Sequence, residues 1–210
     1  KVLRKRMRNH SFDNEGIKMA VDYAHIRDVK VYITLNTLIK NSEIAEAKKY
    51  IDDLYIIGVD ALIVQDPGIA EYLRQEYPDF EIHASTQMTV HNGLGAQLLK
   101  EKGFKRIVLS RELSFKEIEY ISKDLGIETE IFIHGALCIS YSGQCLMSSL
   151  IGGRSGNRGR CAQACRMPYT LINKYTGEEK EGYLLSPKDI STIEYLQDVV
   201  ATGTSSLKIE

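Results

Sequence analysis

The sequence predicts an α/β protein with a parallel sheet, of the (β/α)8 barrel type and not doubly wound. Two observations carry this. Short β-branched runs alternate five times with segments of helical period, and such alternation produces right-handed βαβ crossovers and a parallel sheet. Polar residues gather at the C-terminal ends of the predicted strands: Asn36, Gln65-Asp66, His83-Ser85-Gln87, Ser110-Arg111-Glu112, His134 and Lys208-Glu210. In a barrel those ends converge on one rim, whereas in a doubly wound sheet only those at the switch point meet.

Each element has its own warrant. Asp13 to Asp28 places Ile17, Ala20, Val21 and Ala24 at helical spacing, with Asn9 to Ser11 offering a start. Val29 to Leu35 is β-branched and apolar, a buried strand. Ser42 caps a helix to about Ile57, and Ala61 to Val64 is the next strand. Gly68 to Tyr77 is a short helix behind Pro67, and Glu81 to Ala84 begins another strand. Asn92 to Lys102 is helical and closed by Gly103; Arg106 to Leu109 is a strand. Ser114 to Leu125 opens on a capping box, with Ser114 as N-cap and Glu117 reaching back. Glu128 to Ile133 is the fifth strand and runs into a cysteine-rich segment. Beyond it, Tyr169 to Asn173 and Gly182 to Leu185 predict a β-hairpin turning near Gly177. Ser191 to Val200 returns to helix, and Ser206 to Ile209 is one more barrel-type strand. Too few strands result for eight, so the expectation is a TIM-like barrel truncated by its opening βα units. Residues 1–137 would form barrel units, 138–168 a metal-binding insertion, and 169–210 the hairpin, helix and final strand.

At 210 residues, 43% of them hydrophobic and 26% charged, the chain suits one large soluble domain. A net charge of −1 sets up no global field toward nucleic acid or membrane. No apolar run approaches the roughly 20 residues of a membrane span. Lys1 to Arg8 is basic but leads into no apolar stretch, so this stretch is not expected to be a secretory signal. A chain of this size needs no disulfide staples, so a cytoplasmic location with reduced or metal-bound thiols is expected.

All four cysteines fall within 28 residues, as Cys138, Cys145, Cys161 and Cys165, spaced C-x6-C-x15-C-x3-C among Gly, Ser and Arg. Thiolates ligate both zinc and iron–sulfur clusters. The x6 gap is loose for a zinc knuckle and suits four corners of a larger cubane better. Reduced buried thiols or two disulfides are the competing readings. Arg154, Arg158, Arg160 and Arg166 stand close enough in sequence to offset the charge of a thiolate centre.

Around this segment, His134 directly follows a strand and precedes Cys138 by four residues, as an acid/base, an outer-shell partner of the centre, or a turn-bonding histidine. The alternation of His83, Ser85 and Gln87 puts all three on one strand face. Proteolysis needs a nucleophile: Ser140, Ser142, Ser148 and Ser149 are present, but no G-x-S-x-G elbow and no H-E-x-x-H helix. Four clustered thiols leave no lone cysteine for that task. RNA binding would draw on Arg154, Arg158, Arg160 and the Lys1–Arg8 stretch for phosphates, with Tyr141 and Tyr169 to stack on bases.

Three segments resemble peptidase family U32: Glu130 to Ser148, Gly156 to Arg166, and His83-Ala-Ser-Thr-Gln87, with weaker matches at Leu185-Ser-Pro-Lys-Asp189 and Ser206 to Glu210. That family includes proteins named as collagenolytic, proteins that hydroxylate a pyrimidine in tRNA or rRNA, and proteins of oxygen-independent ubiquinone synthesis. The resemblance implies a barrel carrying a [4Fe–4S] cluster on Cys138, Cys145, Cys161 and Cys165, with zinc, or no metal after exposure to air, as alternatives. Redox-linked RNA pyrimidine hydroxylation is the preferred activity. The alternatives are the eponymous peptidase, acting on a peptide substrate, and a non-catalytic, metal-stabilised partner subunit. On this reading His134, His83, Glu130 and Lys188 are the catalytic candidates. Gln87, Arg111, Arg154, Arg158 and Arg160 would bind substrate, and Glu210 would help shape the pocket.

Overall fold

Most helices of the first half begin where a side chain takes the backbone N–H groups that a helix leaves unpaired. In the computed structural model, which describes the backbone of Val2 and Leu3 and residues 13–210, α1 (Asn14–His25) is capped by Asp13, which accepts from Gly16 N at 2.8 Å. The helix start expected at Asn9 to Ser11 and the remainder of the basic Lys1–Arg8 stretch lie outside the described residues. Helix α2 (Ile44–Ile57) is not capped by Ser42; a 3-10 turn over Asn41–Glu43 precedes it, and the Glu43 carboxylate accepts from Lys40 N. Asp66 caps α3 (Pro67–Glu76) and Asn92 caps α4 (Gly93–Glu101). The predicted capping box opens α5 (Phe115–Glu119), which continues as a π-helical turn over Tyr120–Asp124. The cysteine segment holds α6 (Met147–Gly152), and α7 (Leu196–Ala201) comes late.

Strands β1 (Val2–Leu3), β2 (Tyr32–Leu35), β3 (Ala61–Val64), β4 (Glu81–Ala84), β5 (Arg106–Val108) and β6 (Thr129–Ala136) lie side by side in chain order, all parallel. A separate hairpin pairs β7 (Tyr169–Ile172) with β8 (Glu179–Gly182). Strand β9 (Asp189–Ser191) runs antiparallel to the far end of β6, and β10 (Ser206–Ile209) runs parallel along its other edge. The order β1-β2-β3-β4-β5-β6-β10 never reverses, so the sheet has no doubly wound switch point. The strands of this path are parallel and the sheet is open: among the described residues β1 and β10 do not pair, so the mixed α/β fold with a parallel sheet expected from sequence is present without a closed barrel.

Three local expectations shift. The N-terminal residues supply a strand, β1, where only a basic stretch was read. The second hairpin strand is Glu179–Gly182 and not the apolar 182–185, because a tight turn with Gly177 at φ +72° bonds Asn173 N to Glu178 O and so sets the register. The helix expected from Ser191 starts only at Leu196, because Asp189–Ser191 is drawn into backbone pairing with Gly135 and its neighbours. No helix among the described residues is long and apolar enough to cross a membrane.

Alternation gives the sheet two unlike faces. One carries Ile33, Leu62, Val64, Ile82, Ile107 and Ile131 into the apolar core, against Val21 of α1, Ile51 and Leu54 of α2, Leu73 of α3 and Ile121. The other face carries Tyr32, His83, Arg106, Glu130, Phe132 and Lys208. There His83 is fully buried, its ring edge-on to Tyr32 at 4.9 Å. Lys208 Nζ reaches Glu130 Oε1 at 2.7 Å, and Ser206 Oγ donates to Oε2 of the same carboxylate at 3.0 Å. Burial works to raise the Glu130 carboxyl, but the Lys208 ammonium and these two donors outweigh it and hold its pKa below the ordinary value.

Removing one member of a buried pair leaves the other charge uncompensated. Lys208→Met is expected to cost roughly 3–5 kcal/mol in urea unfolding. The double variant Glu130→Gln/Lys208→Met is expected to recover a substantial part of that loss, and equal losses in both would contradict the pairing.

Candidate functional site

The segment that follows β6 folds back over the C-terminal ends of β4 and β5, and specific polar contacts hold it there. Glu112, past β5, accepts from Ser142 N at 2.9 Å and from Ser142 Oγ at 3.2 Å, while Ser142 Oγ accepts from Arg111 N. Thr89, past β4, donates to Ser142 O and accepts from Gln144 Nε2, both at 2.8 Å. Thr89 has φ +57°, a sparsely populated conformation for a β-branched residue that these bonds stabilise. Gly143, at φ +78°, lies so close to Gln87 that a Cβ would sit 2.9 Å from its Cα and O. Asn157 Nδ2 spans the same junction, donating to Gly143 O at 2.8 Å and Gln87 Oε1 at 3.4 Å.

These contacts place the sequence-predicted residues. His83 and Gln87 do not share a strand face: β4 ends at Ala84, and Gln87 sits in a 3-10 turn that Ser85 caps. Gln87 therefore meets the cysteine segment while His83 and Glu130 remain in the buried layer below. His134 is exposed at the rim, where its backbone pairs with both Ile209 and Ser191. Lys188 is exposed just before β9, on the approach to the end of β6. Tyr141 is exposed, whereas the Tyr169 hydroxyl is taken up by Ala164 O.

The arginines differ sharply. Arg158 makes a two-pronged pair with Glu43, at 2.9 and 3.0 Å, and donates to Leu38 O. The Arg158 guanidinium, with a bond from Lys40 N, pulls the Glu43 carboxyl down to about 2. Arg166 joins Leu137 O, Pro187 O and Asp189. Both act as braces. Arg154 is exposed and donates to Arg160 O, which leaves most of its guanidinium outward. Among the described residues, Arg111 is the arginine whose guanidinium contacts a cysteine, Nη1 to Cys138 Sγ at 3.9 Å.

The four cysteines are free. Burial pushes the Cys138 thiol up, with Cys145, Cys161 and Cys165 adding to this and the Arg111 charge opposing it. Gln163 N donates to Cys161 Sγ at 3.3 Å. Four thiols on one docked segment, two of them facing an N–H donor, are of the donor type that ligates iron–sulfur clusters or zinc. Among the described residues, no group of three or more His, Cys, Asp or Glu is arranged to hold a metal ion. Beside Cys145 lies an apolar hollow of about 450 Å³, lined by Ile139, Ser140, Leu146, Met147, Leu150 and Ile151.

One constellation escapes sequence reading. His91 Nε2 lies 3.3 Å from Glu112, and its Nδ1 lies 3.2 Å from Ser110 Oγ and 3.1 Å from Thr89 O. A Ser–His–Glu set of this kind suggests a nucleophile, but a carbonyl only accepts. Nδ1 must therefore carry the proton it gives to Thr89 O, and it cannot take one from Ser110. Ser110 is also buried. The position of His91 past a strand end, ahead of the Asn92 cap, was the available signal for it.

The sequence profile of peptidase family U32 matches residues 1–210. The chain is 44% identical to the 23S rRNA 5-hydroxycytidine C2501 synthase of Escherichia coli, over 96% of this chain and 31% of that protein. It is 38% identical to tRNA hydroxylation protein P1 of Bacillus subtilis, over 95% of this chain and 49% of the relative. A Porphyromonas gingivalis protein named collagenase is 31% identical, over 96% of this chain and 51% of its own. The chain thus spans from just under a third to just over half of the length of the curated relatives it matches. The solved structure of the U32 peptidase Mk0906 superposes with a TM-score of 0.63 at 15% identity, over 99% of this chain and 82% of that one, a likeness of fold.

Gly143→Ala is expected to lift the cysteine segment off Gln87 at a cost of roughly 1–3 kcal/mol, with the sheet intact. Limited proteolysis would then cut within 137–167 first, and an unchanged pattern would contradict the docking. His83 supplies a pH dependence. Burial, aided by the charge of Arg106, pulls its pKa down to about 4, so the native state resists a proton that the unfolded chain binds below about 6.5. Stability is therefore full above that value and falls as pH drops from 6.5 toward 4, by at most about 1.4 kcal/mol per unit. Urea unfolding of His83→Phe should lose this slope between pH 6.5 and 5.

Proposed function

The chain belongs to peptidase family U32, and from that membership and the docked cysteine segment we propose that it is the cysteine-bearing part of a protein that hydroxylates a pyrimidine in ribosomal or transfer RNA. The observation that carries the proposal is the docking of the segment bearing all four cysteines over the loops past β4 and β5, in a chain whose relatives include an rRNA 5-hydroxycytidine synthase and a tRNA hydroxylation protein. Cys138, Cys145, Cys161 and Cys165 would hold a [4Fe–4S] cluster. Such a cluster supplies one-electron transfer when bound.

The chain's own residues have separable tasks. Arg154, exposed beside α6, meets phosphate. Tyr141 and the apolar hollow next to Cys145 offer a face and a recess to an unstacked base. His134, exposed at the rim four residues from Cys138, is placed to hold or pass a proton at the base. Gln87, Thr89 and Glu112 keep the segment in position. The unreversed strand order supports a (β/α)8 barrel as the closed form of this sheet, and an RNA substrate implies the cytoplasm. The peptidase alternative has relatives by name, but among the described residues the one serine in contact with a histidine cannot be activated by it.

The test is a nucleoside comparison. Deleting the gene should abolish one hydroxylated pyrimidine in total RNA, wild type should restore it, and Cys138→Ser should leave it reduced at least tenfold. An unchanged nucleoside profile on deletion would overturn the reading. So would collagen-peptide cleavage by the full-length protein that survives Cys138→Ser.

A further inference from the structure

Arg111 is held by parts of the chain that meet only in the folded sheet. Its Nη2 donates to Glu210 Oε2 at 2.7 Å, its guanidinium lies 3.8 Å over the ring of Phe132, and its Nη1 is 3.9 Å from Cys138 Sγ. Its own backbone N donates to Ser142 Oγ, and its side chain is only 12% exposed. Glu210 is brought there by a steric condition. Gly135 has φ +137°, and a Cβ on it would fall 2.5 Å from Glu210 O, so only glycine lets the end of β10 lie against β6. Glu210 N then donates to His134 O.

We infer that Arg111 is the fixed counter-charge of the thiolate centre and that, balanced by Glu210, it sets the centre's reduction potential. This rests on the cluster reading above. A guanidinium stays protonated at every working pH, so the charge it presents to Cys138 is permanent. Arg158 and Arg166 are spent on Glu43 and Asp189, and Arg154 faces outward, so these three do not have this role. Adding one electron to a [4Fe–4S] cluster makes it more negative, and a cation against one of its thiolates favours that state. Glu210 opposes the effect from the far side of the guanidinium. Arg111 is therefore a positioning and tuning residue, with little of its fork left for substrate.

The two members of the pair predict shifts of opposite sign, which general damage to the fold cannot produce. Full-length protein, reconstituted anaerobically with iron and sulfide, is titrated with dithionite while electron paramagnetic resonance follows the reduced cluster. Arg111→Met, which retains the stem over Phe132, is expected to lower the reduced-to-oxidised ratio at fixed potential at least tenfold, or about 59 mV for one electron. Arg111→Lys should return most of that loss, and Glu210→Gln should move the potential the other way. If Arg111→Met fails to fold, the upward shift in Glu210→Gln carries the test. Full cluster content with unmoved potentials, or shifts of the same sign, would overturn this inference alone. A wild-type protein that takes up no iron and sulfide under these conditions would overturn it together with the cluster reading.

Discussion

The buried pair of Glu130 and Lys208 fixes β10 against β6, and the geometry of the rim follows from where those two strands end. Strand β6 is the longest of the sheet and has different neighbours along its length: β5 beside its start, β9 beside its end, β10 along the other edge. It launches the cysteine segment, while β10 delivers Glu210 to the same place. A pair of buried charges is a costly way to join two strands, since desolvation of both ions works against it. What it supplies is register. A slip of one residue on β10 would turn Lys208 out of the inner face and bring the wrong side chain to Glu130.

The cysteine segment itself has little apolar anchorage. Many of its large apolar side chains, Ile139, Leu146, Leu150 and Ile151 among them, are exposed. It is held instead by hydrogen bonds and ion pairs to loops past β2, β4 and β5, through Glu43, Gln87, Thr89 and Glu112. This division suits a site that gathers charged ligands. The apolar core supplies rigidity on one face of the sheet, and the polar contacts orient the thiols without burying them completely. The same arrangement explains why serines in the segment do not resemble nucleophiles. Ser142 is occupied by Glu112, and Ser148 accepts from Ala162 N.

Helical spacing, Pro67, Gly103 and the Ser114 capping box made α1, α3, α4 and α5 legible within a few residues, because these signals act on backbone close to them in sequence. The central strands β2 to β6 were legible from β-branched content for the same local reason. Elements governed by distant partners were not. Strand β9 looks like the start of a helix until Gly135 and its neighbours pair with it, and β8 follows the geometry of its turn and not its own apolarity. Whether the parallel sheet closes is likewise a matter of strands that must find each other across the whole molecule.

The sequence alone determined that four thiols would gather in one segment after the fifth predicted strand, among glycine and arginine, and that this segment resembles peptidase family U32. Those properties are written in spacing and composition. Only the tertiary structure decided which arginine serves the thiols. Arg154, Arg158, Arg160 and Arg166 are near in sequence, yet Arg111, 27 residues before Cys138, touches its sulfur, and Glu210, 99 residues after Arg111, holds it there. The reason is physical: charge acts through space, and the distance that matters is set by strands packed in register and by a glycine that lets two of them meet.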